Sequence, residues 1–251
     1  LRLIGATIVF VSIHRIWIKE KIQIKDWLRL VICALFGVVI NMLCFFEGLN
    51  ITTPINASLM MITTPLIVYV ISCFFFKEER HYQKFLGVIL GLAGAALLIT
   101  NGDSFSINNI GDFLVFVNAL SYGLYLIIVK SMLVKYHPIT VLKTIFLFGL
   151  VVVFPIGWSD IIGSSIDSMP MEIILKALFV ILFTTCGAYF LNIYAMSNLR
   201  ASTVAFYIYL QPLLATILAV FSGRDVLTSI KMLAAFCICM GVYFVLKRKL
   251  I

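Results

Sequence analysis

Charged side chains are scarce in this sequence: Asp, Glu, Lys and Arg make up only 12% of its 251 residues, about half the share in an average soluble domain. Histidine occurs three times, and none of the six cysteines forms a CxxC pair or adjoins a histidine. The scarcity of charge excludes a soluble enzyme, a disordered chain and a nucleic-acid-binding protein. The cysteine spacing indicates neither a disulfide framework nor a metal site, and we expect no cofactor.

Apolar residues dominate instead, since 63% of the chain is hydrophobic and its mean hydropathy is +1.12. An α-helix needs about 20 apolar residues to cross the hydrocarbon core of a bilayer. The apolar segments show no alternation of polar and apolar residues, which favours helices over a barrel. The sequence therefore predicts an all-α, multi-pass membrane protein with nine visible transmembrane helices. The predicted spans are residues 1–18, 28–49, 54–76, 84–100, 112–134, 139–158, 172–196, 202–222 and 229–246.

The charges that remain are distributed unevenly between the links. If the link after the first span is cytoplasmic, most of the 19 basic residues fall on the cytoplasmic side and most acidic link residues fall outside. Basic residues near span ends resist translocation, so this distribution sets the orientation. It predicts a cytoplasmic C-terminus. We also expect a plasma membrane location, specifically a bacterial inner membrane. It also explains the net charge of +8 without a nucleic-acid partner.

The sequence contains an internal repeat. When Pro65 is aligned with Pro212, GLNITTPINASLMMITTPL at 48–66 lies over AMSNLRASTVAFYIYLQPL at 195–213 without gaps. The same alignment pairs Gly94 with Gly241. Several special residues thus agree at one offset, which indicates two related structural units.

The repeat divides the chain into a first unit at 1–100, an outer link at 101–111 and a second unit at 112–251. The span at 112–134 has no counterpart in the first unit, so we expect a further helix before Leu1 and ten helices in total. Two units of five helices, an odd number, are inverted relative to each other. Inverted repeats are typical of transporters.

These segments resemble the drug/metabolite transporter superfamily, specifically its EamA-like family. The resemblance covers nearly the whole chain and rests on GLNITTPINASLMMITTP, KEER and LGVILGLAGAALLI in the first repeat. In the second repeat it rests on LRASTVAFYIYLQPLLATILAVFSGRD and MGVYF, where GRD departs from the glycine–glutamate pair usual in the family. The resemblance implies ten helices, both termini inside, and export or exchange of small metabolites through a central cavity.

Glu47 is the one acidic residue well inside a predicted span. A carboxylate at that depth is costly unless it is protonated, paired or in contact with water. One interpretation is a site that couples transport to protons or binds a substrate ammonium group. The other is a side chain that extends to the outer interface, since Asn50 and Thr52 follow closely.

Polar residues recur at helical spacing along several predicted spans, which places them on single helix faces. Such faces either line a solvated cavity or hold helices together by hydrogen bonds, and the resemblance favours the cavity. The candidate cavity residues are Glu47, Asn41, Asn56, Asn118, Tyr122, Tyr125, Tyr189, Asn192, Tyr207 and Gln211.

Pro65 and Pro212 lie at matched positions in the middle of their spans. Each removes a backbone donor and can kink its helix, so we expect either a kink that takes part in gating or a purely structural one. Gly87, Gly91 and Gly94 lie nearly on one face, which predicts close helix packing.

These patterns predict a secondary transporter that works by alternating access, and the resemblance implies that it exports or exchanges small metabolites, such as amino acids. Proton coupling is a further hypothesis. The alternatives are an intramembrane enzyme, for which the sequence has no HExxH, GxSxG or carboxylate pair, and a channel-like protein without carrier activity. The expected partners are a small-molecule substrate and the lipid bilayer. A homodimer stays an open alternative.

Overall fold

The computed structural model describes residues 1–75, 81–101, 110–158, 170–223 and 226–246, and every regular element in these ranges is a helix. Helix α1 (Arg2–Ile13) continues into a π-helical turn at His14–Ile18. The helices that follow are α2 (Ile24–Ile51), α3 (Pro54–Phe75), α4 (Tyr82–Thr100), α5 (Ile110–Leu133), α6 (Pro138–Ile156), α7 (Met171–Asn198), α8 (Ala201–Phe221) and α9 (Ser229–Leu246).

The helices α2 to α9 are each long and apolar enough to cross a membrane. The prediction of an all-α, multi-pass membrane protein is therefore confirmed. α1 has 12 α-helical and five π-helical residues, so the first predicted span is helical but shorter than the other eight. Most of the predicted outer link, from residue 102 to 109, and the chain after Leu246 lie outside the described residues.

α3 and α8 are interrupted just before their matched prolines. In α3 the α-helix stops at Met61 and starts again at Thr64, one residue before Pro65. In α8 a 3₁₀ turn at Tyr207–Tyr209 precedes Pro212. Proline has no backbone N–H and its ring crowds the preceding turn, which explains why regular helical bonding is lost at both places.

α4 and α9 pack closely on small residues. A Cβ built on Gly87 would lie 2.8 Å from the carbonyl oxygen of Gly241, and one built on Gly94 would lie 2.7 Å from that of Ala234. The backbone of each helix thus occupies the space that a side chain on the other would need. The contacts run in opposite order along the two helices, so α4 and α9 are antiparallel.

These two glycine contacts exchange under the repeat alignment. That alignment pairs Gly87 with Ala234 and Gly94 with Gly241. The contact of Gly87 with Gly241 therefore corresponds to the contact of Ala234 with Gly94. An interface whose contacts exchange in this way is self-complementary, as in a two-fold symmetric dimer.

The chain separates by its contacts into two compact units, one of Leu1–Leu43 with Ile128–Leu199, the other of Cys44–Ile127 with Arg200–Ile251. In the first unit, the buried rings of Phe10 and Phe146 pack edge to face with centroids 5.1 Å apart. The second unit has its own buried cluster, which includes Phe206, Tyr209 and Ile238. Because this grouping follows contacts and not the sequence repeat, the repeat boundaries stay a prediction.

Lys130 closes the C-terminal end of α7 within the first unit. Its ammonium group donates to the carbonyl oxygens of Met196 at 2.5 Å and Leu199 at 2.8 Å. The last carbonyls of a helix have no intrahelical partner and carry partial negative charge. A lysine at this position therefore stabilises the end of α7.

Candidate functional site

A polar site in the first unit surrounds Thr185, near the middle of α7. Thr185 belongs to a π-helical segment, Val180–Gly187, and its hydroxyl donates to the carbonyl oxygen of Val180 at 3.0 Å. That bond uses the hydroxyl proton and leaves the oxygen as an acceptor, which accepts from Nε of Arg2 at 2.7 Å. Thr185 is only 1% exposed. π-helical segments of this kind are frequent at functional sites.

Tyr189 lies one turn after Thr185 and contacts a second π-helical segment. Its hydroxyl donates to the carbonyl oxygen of Gly37 at 3.3 Å, within Leu35–Val39 of α2. Its ring packs edge to face on Phe146, with centroids 5.0 Å apart. This contact joins the π-helical segment of α2 to α7 just after the π-helical segment of α7 ends.

Asn41 and Asn192 are the other predicted cavity residues of the first unit, and both are half-buried. Asn41 lies four residues after Gly37, and Asn192 lies three residues after Tyr189. Residues at these spacings share a helix face. The hydrogen bond from Tyr189 to Gly37 joins α2 to α7, and a shared cavity lined by Asn41 and Asn192 stays a prediction.

The second unit contains a cavity of about 370 Å³, which is within the usual size of a small-molecule site. Pro212 cannot donate to the carbonyl oxygen of Ile208, four residues earlier, so the proline leaves that backbone acceptor without its helical partner. The cavity is lined by Ser58, Met61, Ile62, Leu98, Ile99, Ile208, Gln211, Pro212, Ala215 and Thr216. Gln211 and Pro212 thus both line this cavity, whose wall contains polar as well as apolar side chains.

The repeat-related counterpart of this cavity is closed. The alignment pairs Ser58 with Ala205 and Gln211 with Thr64. Ala205 and Thr64 are 1% and 3% exposed, whereas Ser58 and Gln211 are exposed. The reason is packing, because the Thr64–Phe75 part of α3 lies directly against the Ala201–Phe206 part of α8.

Tyr209 fills the closed side. It is the repeat counterpart of Ile62 and is fully buried, with its ring edge to face against Phe206 and over Gly91. A Cβ on Gly91 would collide with that ring, so the glycine provides the space for it. The Tyr209 hydroxyl has no hydrogen-bond partner among the described residues, which is costly for a buried polar group.

Asp112 is a fully buried carboxylate at the start of α5, in the second unit. The Thr52 hydroxyl donates to its Oδ1, and the Asn56 amide donates to its Oδ2 at 3.1 Å. The backbones approach closely beside it, since a Cβ on Gly111 would lie 2.8 Å from the carbonyl oxygen of Gly48. A carboxylate in a first helical turn also interacts favourably with the helix dipole. Asp112 therefore holds the start of α5 to the link between α2 and α3.

The remaining predicted residues of the second unit have mixed surroundings. Asn118 and Tyr125 are buried, and the half-buried Tyr122 has its ring 5.9 Å from that of Tyr125. Tyr207 is exposed, and so is Glu47, which makes no hydrogen bond or ion pair with the described part of the chain. The single central cavity predicted for all these residues stays a prediction.

Sequence reasoning missed Arg2, Asp112 and Ser58 as members of polar clusters. The available signal for both charged residues was their position within a predicted span. Arg2 lies inside the first predicted span, and Asp112 is the first residue of the span at 112–134. In the orientation that the charges predict, both residues belong to the outer side of the membrane. Position along a helix does not reveal the contact partner, so neither cluster was predictable from spacing.

No group of three or more His, Cys, Asp or Glu side chains that could hold a metal ion occurs within the described ranges. All six cysteines are free thiols, and Cys33 and Cys186 are buried. The polar clusters supply hydrogen bonds and charge, from Arg2, Thr185, Tyr189, Asp112 and their partners.

Comparison with known proteins agrees with this membrane architecture. The sequence model of the EamA-like transporter family matches residues 1–100 and 109–247. An uncharacterised transporter of Archaeoglobus fulgidus is 29% identical over 204 residues, which cover 80% of this chain and 70% of that protein. An uncharacterised transporter of Methanothermobacter thermautotrophicus is 28% identical over 232 residues, which cover 90% of this chain and 66% of that protein. The chain thus spans about two thirds of the length of these curated relatives.

A similar fold has been seen in a crystal structure of another protein. It matches with a TM-score of 0.78 over 98% of this chain and 85% of that one. The sequences are 17% identical, so the likeness concerns the fold alone.

Proposed function

We propose that this chain, which belongs to the EamA-like transporter family, is a secondary transporter that exports or exchanges small metabolites, such as amino acids or related compounds, by alternating access. The relatives named above are themselves described as transporters, without a substrate. Membership of a transporter family also favours transport over an intramembrane enzyme.

One observation carries the alternating-access part of the proposal. Two interfaces of the second unit are related by the repeat alignment, and one holds the cavity at Ser58 and Gln211 while its counterpart at Ala205 and Thr64 is closed. Two pseudo-symmetric halves that exchange conformations would open the second interface and close the first. The reciprocal contacts between α4 and α9 support such an exchange, because they are compatible with either arrangement.

The finer features of the architecture belong to the same proposal. Two inverted repeats would place the matched prolines Pro65 and Pro212 at equivalent points of α3 and α8, where both helices are interrupted. The distribution of basic residues supports a cytoplasmic C-terminus, and the proposed location is a plasma membrane. Glu47 would couple flux to protons, and the polar faces of Asn41, Asn118 and Asn192 would line the substrate pathway.

The test is flux in proteoliposomes that contain the purified full-length protein. Vesicles loaded with a pool of unlabelled metabolites are mixed with the labelled pool outside, and uptake by exchange is followed for each compound. A carrier gives saturable counterflow, whereas a channel gives flux without it. Absence of both exchange and gradient-driven flux for every compound would overturn the transport proposal, and flux without counterflow would favour a channel.

A further inference from the structure

The cavity of the second unit offers mainly hydrogen-bond acceptors. Ser58 of α3 lines it, and its hydroxyl donates to the carbonyl oxygen of Pro54 at 2.8 Å. Thr216 of α8 also lines it, and its hydroxyl donates to the carbonyl oxygen of Pro212 at 2.9 Å. Each of these bonds uses the hydroxyl proton, so both hydroxyl oxygens keep lone pairs that can accept a further bond. The carbonyl oxygen of Ile208 is a third acceptor, because Pro212 cannot serve as its helical donor.

Gln211 is a polar lining residue whose side chain has no partner within the described part of the chain. It is exposed at the cavity, on a membrane-spanning helix. An amide group in an apolar environment is costly without hydrogen bonds, so this side chain needs water or a ligand. The carboxamide has two N–H donors and one acceptor oxygen. Among the described lining residues, Gln211 is thus the one side chain with free N–H donors.

The rest of the described cavity wall is apolar. It consists of Met61, Ile62, Leu98, Ile99 and Ala215, and none of the described lining residues is charged. A carboxylate, an ammonium group or a zwitterion would lose hydration in this cavity without a counter-ion from these residues. Such a loss is costly at membrane depth. The wall therefore favours an uncharged ligand with an apolar body.

A neutral carboxamide complements the polar groups of the cavity. Two carboxamides can pair side by side, each donating one N–H to the oxygen of the other, so the side chain of Gln211 would both donate and accept. The second N–H of the ligand would then be free to donate to an acceptor at Ser58, Ile208 or Thr216. A carboxylate has no donor for these oxygens, and an ammonium group has no acceptor for the N–H of Gln211.

We propose that this cavity binds an uncharged primary amide with an apolar body, and that the carboxamide of Gln211 recognises the amide group of the ligand. This inference names the substrate class of the proposed transporter and so rests on the proposed function. Among compounds related to amino acids, it selects uncharged amides over zwitterions. The binding itself is measurable without transport, which keeps the two proposals separable.

The test measures ligand-induced thermal stabilisation of the purified full chain in neutral detergent. One set of probes is isovaleramide, isovalerate and isoamylamine, and the other is phenylacetamide, phenylacetate and phenethylamine. Each set keeps one apolar body and changes the head group from neutral to anionic to cationic. In at least one set, the amide is expected to bind with an apparent dissociation constant about tenfold lower than those of both charged relatives. If the amide binds no more tightly than a charged relative in either set, the proposal is overturned.

Variants then assign the binding to Gln211. Gln211→Leu is expected to weaken amide binding about 5- to 100-fold, because two hydrogen bonds are lost. Leucine is favoured in membrane-spanning helices, so we expect this variant to fold. Gln211→Glu replaces the N–H donors with an oxygen and adds a negative charge, so the cationic amine is expected to bind more tightly than the amide. Wild-type amide affinity in Gln211→Leu would overturn the assignment.

Gln83→Glu is the matched control. Gln83 lies at the start of α4 in the same unit and is not among the residues that line the cavity. The variant makes the same change of group and charge, and it is expected to bind all probes like the wild type. Equal inversion of the amide and amine affinities in Gln83→Glu and Gln211→Glu would show a general effect of charge and overturn the assignment.

The flux assay separates this inference from the transport proposal. Amide binding without any flux overturns transport alone. Flux that does not distinguish amides from their charged relatives, and that is equal in Gln211→Leu and wild type, overturns the amide site alone.

Discussion

At the scale of single residues, two carboxylates near the contact between α2 and α5 have opposite surroundings. Asp112 is fully buried and accepts hydrogen bonds from Thr52 and Asn56, so its place has a structural explanation. Glu47 is exposed and bonds to nothing in the described ranges. Its charge within a membrane-spanning helix is costly unless it meets water or exchanges a proton. The two acids therefore call for different tests.

We expect Glu47→Gln to abolish the dependence of flux on an imposed pH gradient, because glutamine has the shape of glutamate but cannot exchange a proton. Exchange of labelled for unlabelled substrate should persist, since it needs no net proton movement. The measurement is initial flux into proteoliposomes with and without the gradient. Unchanged pH dependence would contradict a coupling role for Glu47.

Asp112→Asn is the matched control and should act on stability instead. Asparagine replaces one acceptor oxygen with an amide N–H group that faces another donor. We therefore expect the free energy of unfolding to fall by about 1–3 kcal/mol and the unfolding temperature in detergent to be lower. Glu47→Gln should stay within about 0.5 kcal/mol of wild type. If the Asp112→Asn protein kept wild-type stability but its flux no longer depended on the pH gradient, the coupling role would belong to Asp112.

At the scale of elements, the packing of α4 on α9 depends on residues without side chains. The spacing of Gly87, Gly91 and Gly94 predicts a close helix contact but does not identify the partners. The structure shows two kinds of partner: Gly87 and Gly94 face the backbone of α9, while Gly91 faces the ring of Tyr209 in α8. The glycine face of α4 therefore serves two neighbouring helices.

We expect Gly94→Ala to destabilise the protein by about 1–3 kcal/mol. The added Cβ would lie 2.7 Å from the carbonyl oxygen of Ala234, and a helix backbone yields less readily than a flexible side chain. Gly241→Ala, at the matched position, should cost a similar amount, since its Cβ would lie 2.7 Å from the carbonyl oxygen of Gly87.

Gly157→Ala serves as the control for this prediction, because the nearest atom to its Cβ would be 3.8 Å away. Thermal unfolding of the purified proteins in the same detergent is the measurement. If Gly94→Ala unfolds at the same temperature as Gly157→Ala, the close contact of α4 with α9 does not contribute to stability as described.

At the scale of the whole molecule, the second unit has two repeat-related interfaces in different states. Ser58 is exposed at the cavity, whereas its counterpart Ala205 is 1% exposed. Because the two positions are related by the repeat, a conformational exchange should reverse their accessibility. A rigid protein would keep both accessibilities constant.

We therefore expect Ser58→Cys to react faster than Ala205→Cys with a small thiol reagent, in a background from which the six native cysteines have been removed. Saturation with a compound that the flux assay identifies as transported should change the two rates in opposite directions, since it shifts the population between the two states. Rates that change together, or not at all, would contradict an exchange of the two interfaces.

Much of the architecture follows from the sequence alone. The free energy of transferring a helix from water to lipid is approximately the sum of the contributions of its residues. Local hydropathy therefore predicts the eight long helices, with most of their ends correct to within a few residues. Proline chemistry is equally local, and the interruptions of α3 and α8 lie where Pro65 and Pro212 indicate a kink. The repeat alignment, likewise a property of the sequence, pairs Gly94 with Gly241.

The contacts that give each polar residue its partner are decided only by the tertiary structure. Arg2 and Thr185 are separated by 183 positions, and Thr52 and Asp112 by 60. Helical periodicity indicates which residues of one helix share a face, but it does not indicate which face of which other helix packs against them. That choice depends on the packing of whole helices, with their π-helical segments and glycine contacts. It is why the sequence determines a membrane-spanning helical protein, and why only the fold places Arg2, at the start of α1, beside Thr185 near the middle of α7.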